Sequence, residues 1–232
     1  MKKLLITISF VLGFISMVSA DIGVNVGVSG NLAVFHATAT ERTDETLMNT
    51  VGTNVDTEKE DATGVAGYTS IFVEKTLSFL PGPFGRMAVG YDMIQGTLKS
   101  DKTTKKRSEN TVGSSAITFI DNVVEVEFEN LHTLYATLNI TDNLYVKAGR
   151  MQVDVTTNEK LATGSAYGNT DLEGDMYGMG YNTSFGPGLF FRVEGTMMDF
   201  GSKKLVSSNA ENSVTLNELN GASARVSIGK SF

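Results

Sequence analysis

The sequence predicts an all-β protein whose antiparallel strands run up and down and close into a barrel, and three observations support this. Long segments alternate apolar and polar residues with a period of two, which gives a strand one apolar and one polar face. The connections between these segments alternate between short turns and long polar loops. Beyond residue 20, no apolar run reaches the ~18 residues that a membrane-spanning helix needs. We count eight segments, and ten strands remain the alternative.

The first segment, residues 22–34, shows the alternation most clearly. Its 13 residues keep one phase without a break, whereas strands of globular proteins usually have about 5–6 residues. The phase continues through Ser29, Gly30 and Asn31, so the segment is predicted as one strand. Its apolar face holds Ile22, Val24, Val26, Val28, Leu32 and Val34.

Seven further segments and their connections complete the pattern. The predicted strands are residues 65–80, 86–98, 122–138, 144–156, 175–185, 189–200 and 216–232. Short turns are expected near 81–85, 139–143 and 186–188, and long polar loops at 41–64, 99–121, 157–174 and 201–215. Short turns at one end and long loops at the other are typical of transmembrane barrels of the bacterial outer membrane. A soluble sandwich is the less favoured alternative.

The first twenty residues have the pattern of a cleaved signal peptide. Lys2 and Lys3 precede an apolar run, and Val18-Ser19-Ala20 is a small-residue cleavage site. We therefore expect a signal peptide at residues 1–20 and a single barrel domain at residues 21–232. Without Lys2 and Lys3, 17 basic residues remain against 26 acidic ones, a formal charge of −9, so nucleic acid is not an expected partner.

The last ten residues, SARVSIGKSF, end on an aromatic residue with apolar residues at alternate positions before it. This pattern resembles the terminal strand of Gram-negative outer-membrane proteins, from whose usual form Lys230 departs. Together with the signal peptide and the absence of cysteine, the chain from Asp21 onward resembles the small OmpA/OmpX-like barrels. The resemblance implies a location in the cell outer membrane, among its lipids and lipopolysaccharide. It also implies recognition by the barrel assembly machinery through Val226, Ile228 and Phe232.

Six charged residues are predicted to face the barrel interior at membrane depth. Closing the sheet satisfies every backbone hydrogen bond, so the apolar faces can meet lipid while the polar faces line the interior. An eight-stranded barrel is just wide enough for side chains to fill it, and buried charges are costly unless paired. We therefore expect a salt-bridged plug, which is either a gate or a packed polar core. The predicted network consists of Glu74, Asp92, Lys147, Arg192, Glu194 and Arg225.

The stretch DNVVEVEFEN, residues 121–130, places three carboxylates on one strand face and apolar side chains on the other. Counted up from the turn at 139–143, it lies at the outer end of its strand. We predict that its acidic face lines the barrel mouth and points inward; this face consists of Glu125, Glu127 and Glu129. Asn130 and His132 then fall on the lipid-facing side, so a bulge is expected near Leu131.

The two histidines do not match the motifs of barrel enzymes. Lipid A deacylases of this fold carry a His-x-Ser-Asn-like motif, whereas His132 is followed by TLY and His36 by ATA. Outer-membrane proteases need acidic pairs beside a His-Asp dyad, and the chain has no Asp-x-Asp pair. The sequence therefore predicts no enzymatic activity, no metal site and no cofactor.

Basic residues cluster in the predicted loop 99–121, at Lys102, Lys105, Lys106 and Arg107. They are either contacts for lipopolysaccharide phosphates or part of a solvated loop. We predict a barrel that acts structurally or through its long surface loops, whose partners the sequence does not identify. A small porin-like channel for ions or polar solutes is the principal alternative. A lipid A- or peptide-modifying barrel enzyme is the least favoured one.

Overall fold

A computed structural model describes residues 23–44, 55–110, 117–160, 166–208 and 212–232, so the predicted signal peptide lies outside it. A short 3-10 helix, Gly82–Arg86, follows the second strand. The strands are β1 (Val24–Asp44), β2 (Val55–Thr76), β3 (Met87–Gln95), β4 (Leu98–Lys99), β5 (Thr103–Asn110), β6 (Ile117–Asn139), β7 (Leu144–Lys160), β8 (Thr170–Ser184), β9 (Leu189–Phe200), β10 (Lys203–Val206) and β11 (Asn212–Ser231).

Eight of these strands form a closed antiparallel ring. The order around the ring is β1, β2, β3, β6, β7, β8, β9 and β11, and β11 pairs with β1 to close it. The other three strands prolong existing walls, because β4 and β5 continue β3 along β6, and β10 continues β9 along β11. The prediction of an eight-stranded up-and-down barrel is therefore confirmed.

The stagger of the strands sets the width of the barrel. Following directly paired residues around the ring from Val24 on β1 leads back to β1 at Val34, ten residues farther along. With the usual rise per residue and strand spacing, this stagger tilts the strands by about 40° from the barrel axis. An interior of this size is filled by side chains.

Short turns connect the strands at one end of the barrel. Between β6 and β7, the hydroxyl of Thr141 accepts a hydrogen bond from the backbone N–H of Leu144 (2.9 Å). Between β8 and β9, Gly188 has a φ of 72°, and a Cβ there would approach the carbonyl oxygen of Ser231 to 2.8 Å. Among the described residues, no helix is long and apolar enough to cross a membrane.

The strands extend farther from these turns than the sequence predicts. β1 reaches Asp44 and β2 begins at Val55, and their register is unbroken through part of the segment predicted as a loop. β5 to β8, β10 and β11 likewise occupy parts of the other three predicted loops. Beyond the lipid, the outward residues need not be apolar, so the alternation that indicates a membrane strand fades while backbone pairing continues.

The wall has two regions of opposite polarity. In the membrane region, next to the short turns, outward side chains are mainly apolar, and these include Leu32, Val73, Val89, Tyr91, Met93, Leu134, Val146, Tyr177, Met179, Val193, Met197, Val226 and Ile228. In the outer region, beyond it, apolar side chains point inward and polar ones outward. Outward polar residues mark the border between the regions, namely His36, Thr63, Gln95, His132, Arg150, Asp175, Asp199 and Asn220.

Candidate functional site

The six charged residues of the predicted lumen network all lie buried inside the membrane region. Each basic side chain contacts one acidic side chain from a different strand. The pairs are Arg192 with Glu74, Lys147 with Glu194, and Arg225 with Asp92. The structure thus brings the three positive and three negative charges together as three ion pairs.

The pair between Arg192 on β9 and Glu74 on β2 joins walls that are not neighbours in the ring. The two terminal nitrogens of Arg192 donate to the two carboxylate oxygens of Glu74, at 2.6 and 3.0 Å. The hydroxyl of Tyr135 donates a third hydrogen bond to the same carboxylate, at 2.9 Å. The guanidinium also lies within 5.4 Å of the ring centroids of Phe72, Tyr145 and Phe190. Planar, bidentate pairing surrounded by aromatic faces is the arrangement that arginine suits best.

The other two pairs complete the layer. Lys147 donates to a carboxylate oxygen of Glu194 at 2.9 Å, and the hydroxyl of Tyr145 donates to the second oxygen at 2.7 Å. The Lys147 ammonium lies 4.0 Å from the ring centroid of Tyr135. Arg225 contacts Asp92 and also donates from Nε to the hydroxyl of Ser227 at 3.2 Å. Because each buried charge has a partner of opposite sign, the desolvation penalty is offset within the layer.

Four aromatic rings in this layer were not identified from the sequence. Each ring is directly paired with a glycine on the neighbouring strand, and a Cβ on any of these glycines would come within 2.4 Å of the ring. The pairs are Phe72 with Gly27, Tyr135 with Gly90, Tyr145 with Gly180, and Phe190 with Gly229. These aromatic residues can be identified by a glycine that faces inward directly opposite them on the neighbouring strand. Such pairs become visible only when the strand register is known.

An apolar cluster fills the interior on the side of the charged layer that is farther from the short turns. Its buried members are Ala33, Ile94, Leu131, Tyr135, Met151, Val153, Val155, Leu172, Met176, Met198, Phe200 and Leu219. A cavity of about 30 Å³ lies where the two layers meet, lined by Asp92, Glu194 and Arg225 on one side and by Met151 and Met198 on the other. This volume holds one or two water molecules. The described interior thus has two filled layers in series, one ionic and one apolar.

The acidic ladder lies on the opposite face from the one predicted. Phe128 is paired with the buried Val155 and packs against the apolar cluster, whereas Glu129 is paired with the exposed Asp154. The predicted bulge is confirmed, because the β6–β7 register shifts between Glu129 and His132 and Asn130 has a φ of 53°. One inserted residue exchanges the two faces of a strand. The prediction that the acidic residues point inward is therefore wrong, and Glu125, Glu127 and Glu129 lie on the outer side of the wall.

Ion pairs hold the ladder to the neighbouring wall outside the membrane region. Lys99 donates to Glu127 at 2.5 Å, Lys102 lies 3.8 Å from Glu125, and the hydroxyl of Thr97 donates to Glu129 at 3.2 Å. The hydrogen bond to Glu127 raises the pKa of the Lys99 ammonium above its ordinary value. These contacts are exposed, so each adds little to stability.

The remaining predicted residues lie at the two ends of the barrel. Val226 and Ile228 point outward from β11, and the backbone of Phe232 exchanges hydrogen bonds with Val24 at 2.8 and 3.2 Å. The two histidines sit near the border, where His36 contacts the hydroxyl of Thr63 (3.3 Å) and His132 the carbonyl of Asn130 (2.8 Å). Among the described residues, no cluster of histidine and carboxylate side chains could hold a metal ion.

Comparison with known proteins finds similarity among solved structures. The outer-membrane protease OmpT of Escherichia coli has a TM-score of 0.43 at 10% identity, over 94% of this chain and 99% of that one. Ail of Yersinia pestis, solved with the heparin analogue sucrose octasulfate, has 0.36 at 11%, over 88% and 99%. Neisserial surface protein A has 0.35 at 8%, over 87% and 97%. No family model and no curated protein matches the chain.

All three are outer-membrane barrels, in agreement with the predicted resemblance and location, although the narrower OmpA/OmpX-like label is not exact. At these identities the likeness concerns the fold alone. One of the three is a protease. The prediction that the chain is not an enzyme is therefore wrong as a conclusion from the sequence, because this architecture accommodates catalysis and two unmatched histidine motifs do not exclude it.

Proposed function

We propose that the protein is a non-conducting outer-membrane barrel that holds its outer region at the cell surface. The observation that supports this most strongly is the pairing of all six charges of the lumen network across the barrel. An ion that crossed this layer would have to separate buried partners, and removing one member of such a pair costs several kcal/mol.

The apolar cluster of the outer region is a second barrier. Even where the ionic layer opened, a permeating ion would still have to enter an interior packed mainly with apolar side chains. The ionic layer and the apolar cluster are two barriers in series, and together they favour a structural or surface role. The alternative, a small porin-like channel, requires water between the lumen charges.

The test is conductance of the refolded protein in a planar bilayer, with heat-modifiable gel mobility as the check on folding. We expect a silent bilayer for the wild-type protein. A variant of the ionic layer, Arg192→Ala with Glu74→Ala, and a variant of the apolar layer, Met151→Ala with Phe200→Ala, should each stay closed. Their combination should conduct. Steady conductance by the wild-type protein would overturn the proposal and favour the channel.

The surroundings of the barrel form part of the same proposal. Val226 and Ile228 point outward among the apolar residues of the membrane region, which suits a terminal strand read by the assembly machinery before it meets lipid. Lipopolysaccharide is the proposed neighbour of the outer region, and the basic cluster that includes Lys102 is the proposed contact with its phosphates. Loss of lipopolysaccharide binding by a Lys102→Ala, Lys105→Ala and Lys106→Ala variant would support that contact.

A further inference from the structure

One strand of the barrel is longer than the neighbour that pairs with it. Pairing between β2 and β3 ends at Thr69 and Gln95, whereas β2 continues outward to Val55. Directly after Gln95 the backbone of Gly96 has a φ of 108°, which strongly favours glycine. β4 and β5, which follow, pair with β6, and among the described residues no strand pairing joins them to β2. Beyond Thr69, β2 is therefore paired on one side only, with β1.

The backbone groups of odd-numbered residues on β2 face away from β1. Thr76 donates its N–H to the carbonyl of Gly23, next to β1, at 2.7 Å, whereas Leu77 donates to Met87 of β3 at 2.8 Å. Successive residues of an antiparallel strand bond alternately to its two neighbours, and the β1–β2 register is unbroken. Odd-numbered residues beyond the last β2–β3 pair thus direct their N–H and C=O groups to the side that β3 has left. We use "open edge" for residues 63–67, in which these are Thr63, Val65 and Gly67.

Part of the open edge lies at the depth of lipid-facing side chains. Val65 is paired with Val34 and Gly67 with Leu32, and Val34 and Leu32 belong to the outward apolar face. Hydrocarbon offers no hydrogen-bond partner, and open sheet edges do not occur within it. Lipid tails therefore cannot satisfy the backbone groups of Val65 and Gly67, whereas another polypeptide backbone can.

A strand beside the open edge would meet apolar surroundings on both of its faces. On the outward side Val65 is 69% exposed in the membrane region. On the inward side Tyr68 is only partly buried and packs against the apolar cluster. Strands that are apolar on both faces have uncharged sequences rich in valine, isoleucine and leucine. This composition is expected of the strand that fits here.

The loop that adjoins β2 is too short to supply this strand. Val65 lies ten residues, or about 33 Å, from the outer end of β2 at Val55. The undescribed connection 45–54 joins that end to β1, and its ten residues span at most about 36 Å when extended. It therefore cannot reach Val65 and return. A second copy in the same membrane would present its own β2 in the same direction, and parallel pairing is the less stable kind. Both arguments favour a different polypeptide.

We propose that the open edge is a docking site for an extended, apolar strand of another membrane polypeptide. This strand pairs with β2 in the place that β3 leaves at Gln95, so it continues an existing ladder of hydrogen bonds. The backbone of the open edge supplies the affinity, and the side chains that meet lipid and the apolar cluster supply the selectivity for apolar sequences.

The chain has no cysteine, which permits a test by disulfide trapping in the refolded barrel in detergent micelles. The probe is a capped peptide of seven residues, valine and isoleucine with one central cysteine. Directly opposite residues of paired strands have the Cα separation that a disulfide requires, so the Val65→Cys variant should trap the peptide under mild oxidation. The matched control is Val34→Cys, which is outward and paired with Val65 but lies on a strand with two neighbours. It should react several-fold more slowly.

Two changes within the Val65→Cys variant test the hydrogen bonds themselves. Gly67→Pro removes one N–H from the open edge and should lower the trapping rate several-fold. Gly67→Ala should leave the rate unchanged, because a Cβ there meets only the carbonyl oxygen of Asn31, at 3.9 Å. A peptide methylated at every backbone nitrogen tests the same bonds without any change to the barrel, and it should lose the preference for Val65→Cys over Val34→Cys.

Four results would overturn the proposal. Equal trapping at the two cysteine positions, or an undiminished preference with the methylated peptide, would show that no strand pairs at the open edge. Disulfides that form between two barrels in preference to the peptide would assign the edge to a second copy. Suppression of trapping by added lipopolysaccharide would assign it to lipid.

Discussion

The membrane region and the outer region share the same strands but are stabilised by opposite arrangements. In the membrane region the interior is ionic, and the exterior is apolar because lipid surrounds it. In the outer region the interior is the apolar cluster and the exterior carries charges such as Arg150 and Asp154. The difference teaches that solvent, and not strand geometry, decides which face of a barrel wall is apolar.

Two devices produce the inversion between the regions. On β7 the pairing to β8 is continuous and the sequence pattern itself changes, so that Val146 points outward and Val153 inward. On β6 the apolar residues stay at even positions, with Leu134 outward and Phe128 inward, and the bulge at Asn130 rotates the strand. A change of pattern and a change of register thus reach the same result.

Breaking one ion pair of the membrane region should have the largest effect on stability. Arg192→Ala leaves the buried carboxylate of Glu74 without its bidentate partner, and we expect a loss of about 3–5 kcal/mol in the free energy of unfolding. The apolar pair Arg192→Met with Glu74→Leu should restore stability or exceed the wild type. Urea unfolding in lipid vesicles, followed by gel mobility, measures both. Similar losses in the two variants would contradict the ionic account.

In the outer region the matching test is a cavity. Met151 is buried in the apolar cluster, and Met151→Ala should cost about 2–5 kcal/mol. The neighbouring Gln152 points outward, so Gln152→Ala is the control and should change the free energy of unfolding by less than about 0.5 kcal/mol. A comparable loss in the control would show that β7 is not oriented as described.

One substitution placed on the outward face of each region tests the comparison itself. Val193 points outward in the membrane region, so Val193→Arg should destabilise the barrel in lipid by about 2–4 kcal/mol. Gln152→Arg, on the outward face of the outer region, should be nearly neutral. Refolding into vesicles at increasing urea concentration measures the difference. Equal tolerance of arginine at both positions would remove the distinction between the regions.

The smallest effect concerns the exposed pair Lys99–Glu127, whose lysine has a raised pKa. A raised folded-state pKa means that the contribution is fully present below the unfolded lysine value of about 10.4 and is lost as pH rises through the folded value. The difference in the free energy of unfolding between wild type and Lys99→Met should therefore be constant from neutral pH up to the unfolded lysine value. It should then vanish as the pH rises through the higher pKa of the folded state. Added salt should reduce it. A difference that grows with pH would have the wrong sign.

The features that follow from period-two patterns could be predicted from the sequence. Long alternating segments determine the number of walls, and charges on their polar faces identify residues such as Arg192 and Glu74. The rings of Tyr135 and Tyr145 could not be found in this way, because their glycine partners lie on other strands and become visible only with the register. The orientation of Glu127 was missed for a related reason. Polar residues at lipid-facing positions predict a bulge, but whether the residues beyond the bulge keep or exchange their inward and outward faces depends on how many residues it inserts.

The bulge at Asn130 makes the point at which the two faces of β6 exchange adjustable. Side chains repeat every two residues along a strand, so moving the left-handed residue by two positions keeps both faces of β6 intact and shifts their exchange by about 7 Å. Two substitutions, with no insertion or deletion, would suffice for such a shift on this strand. On β6 the border between the two regions is thus set by a single backbone dihedral, whereas on β7 it is set by the order of the side chains.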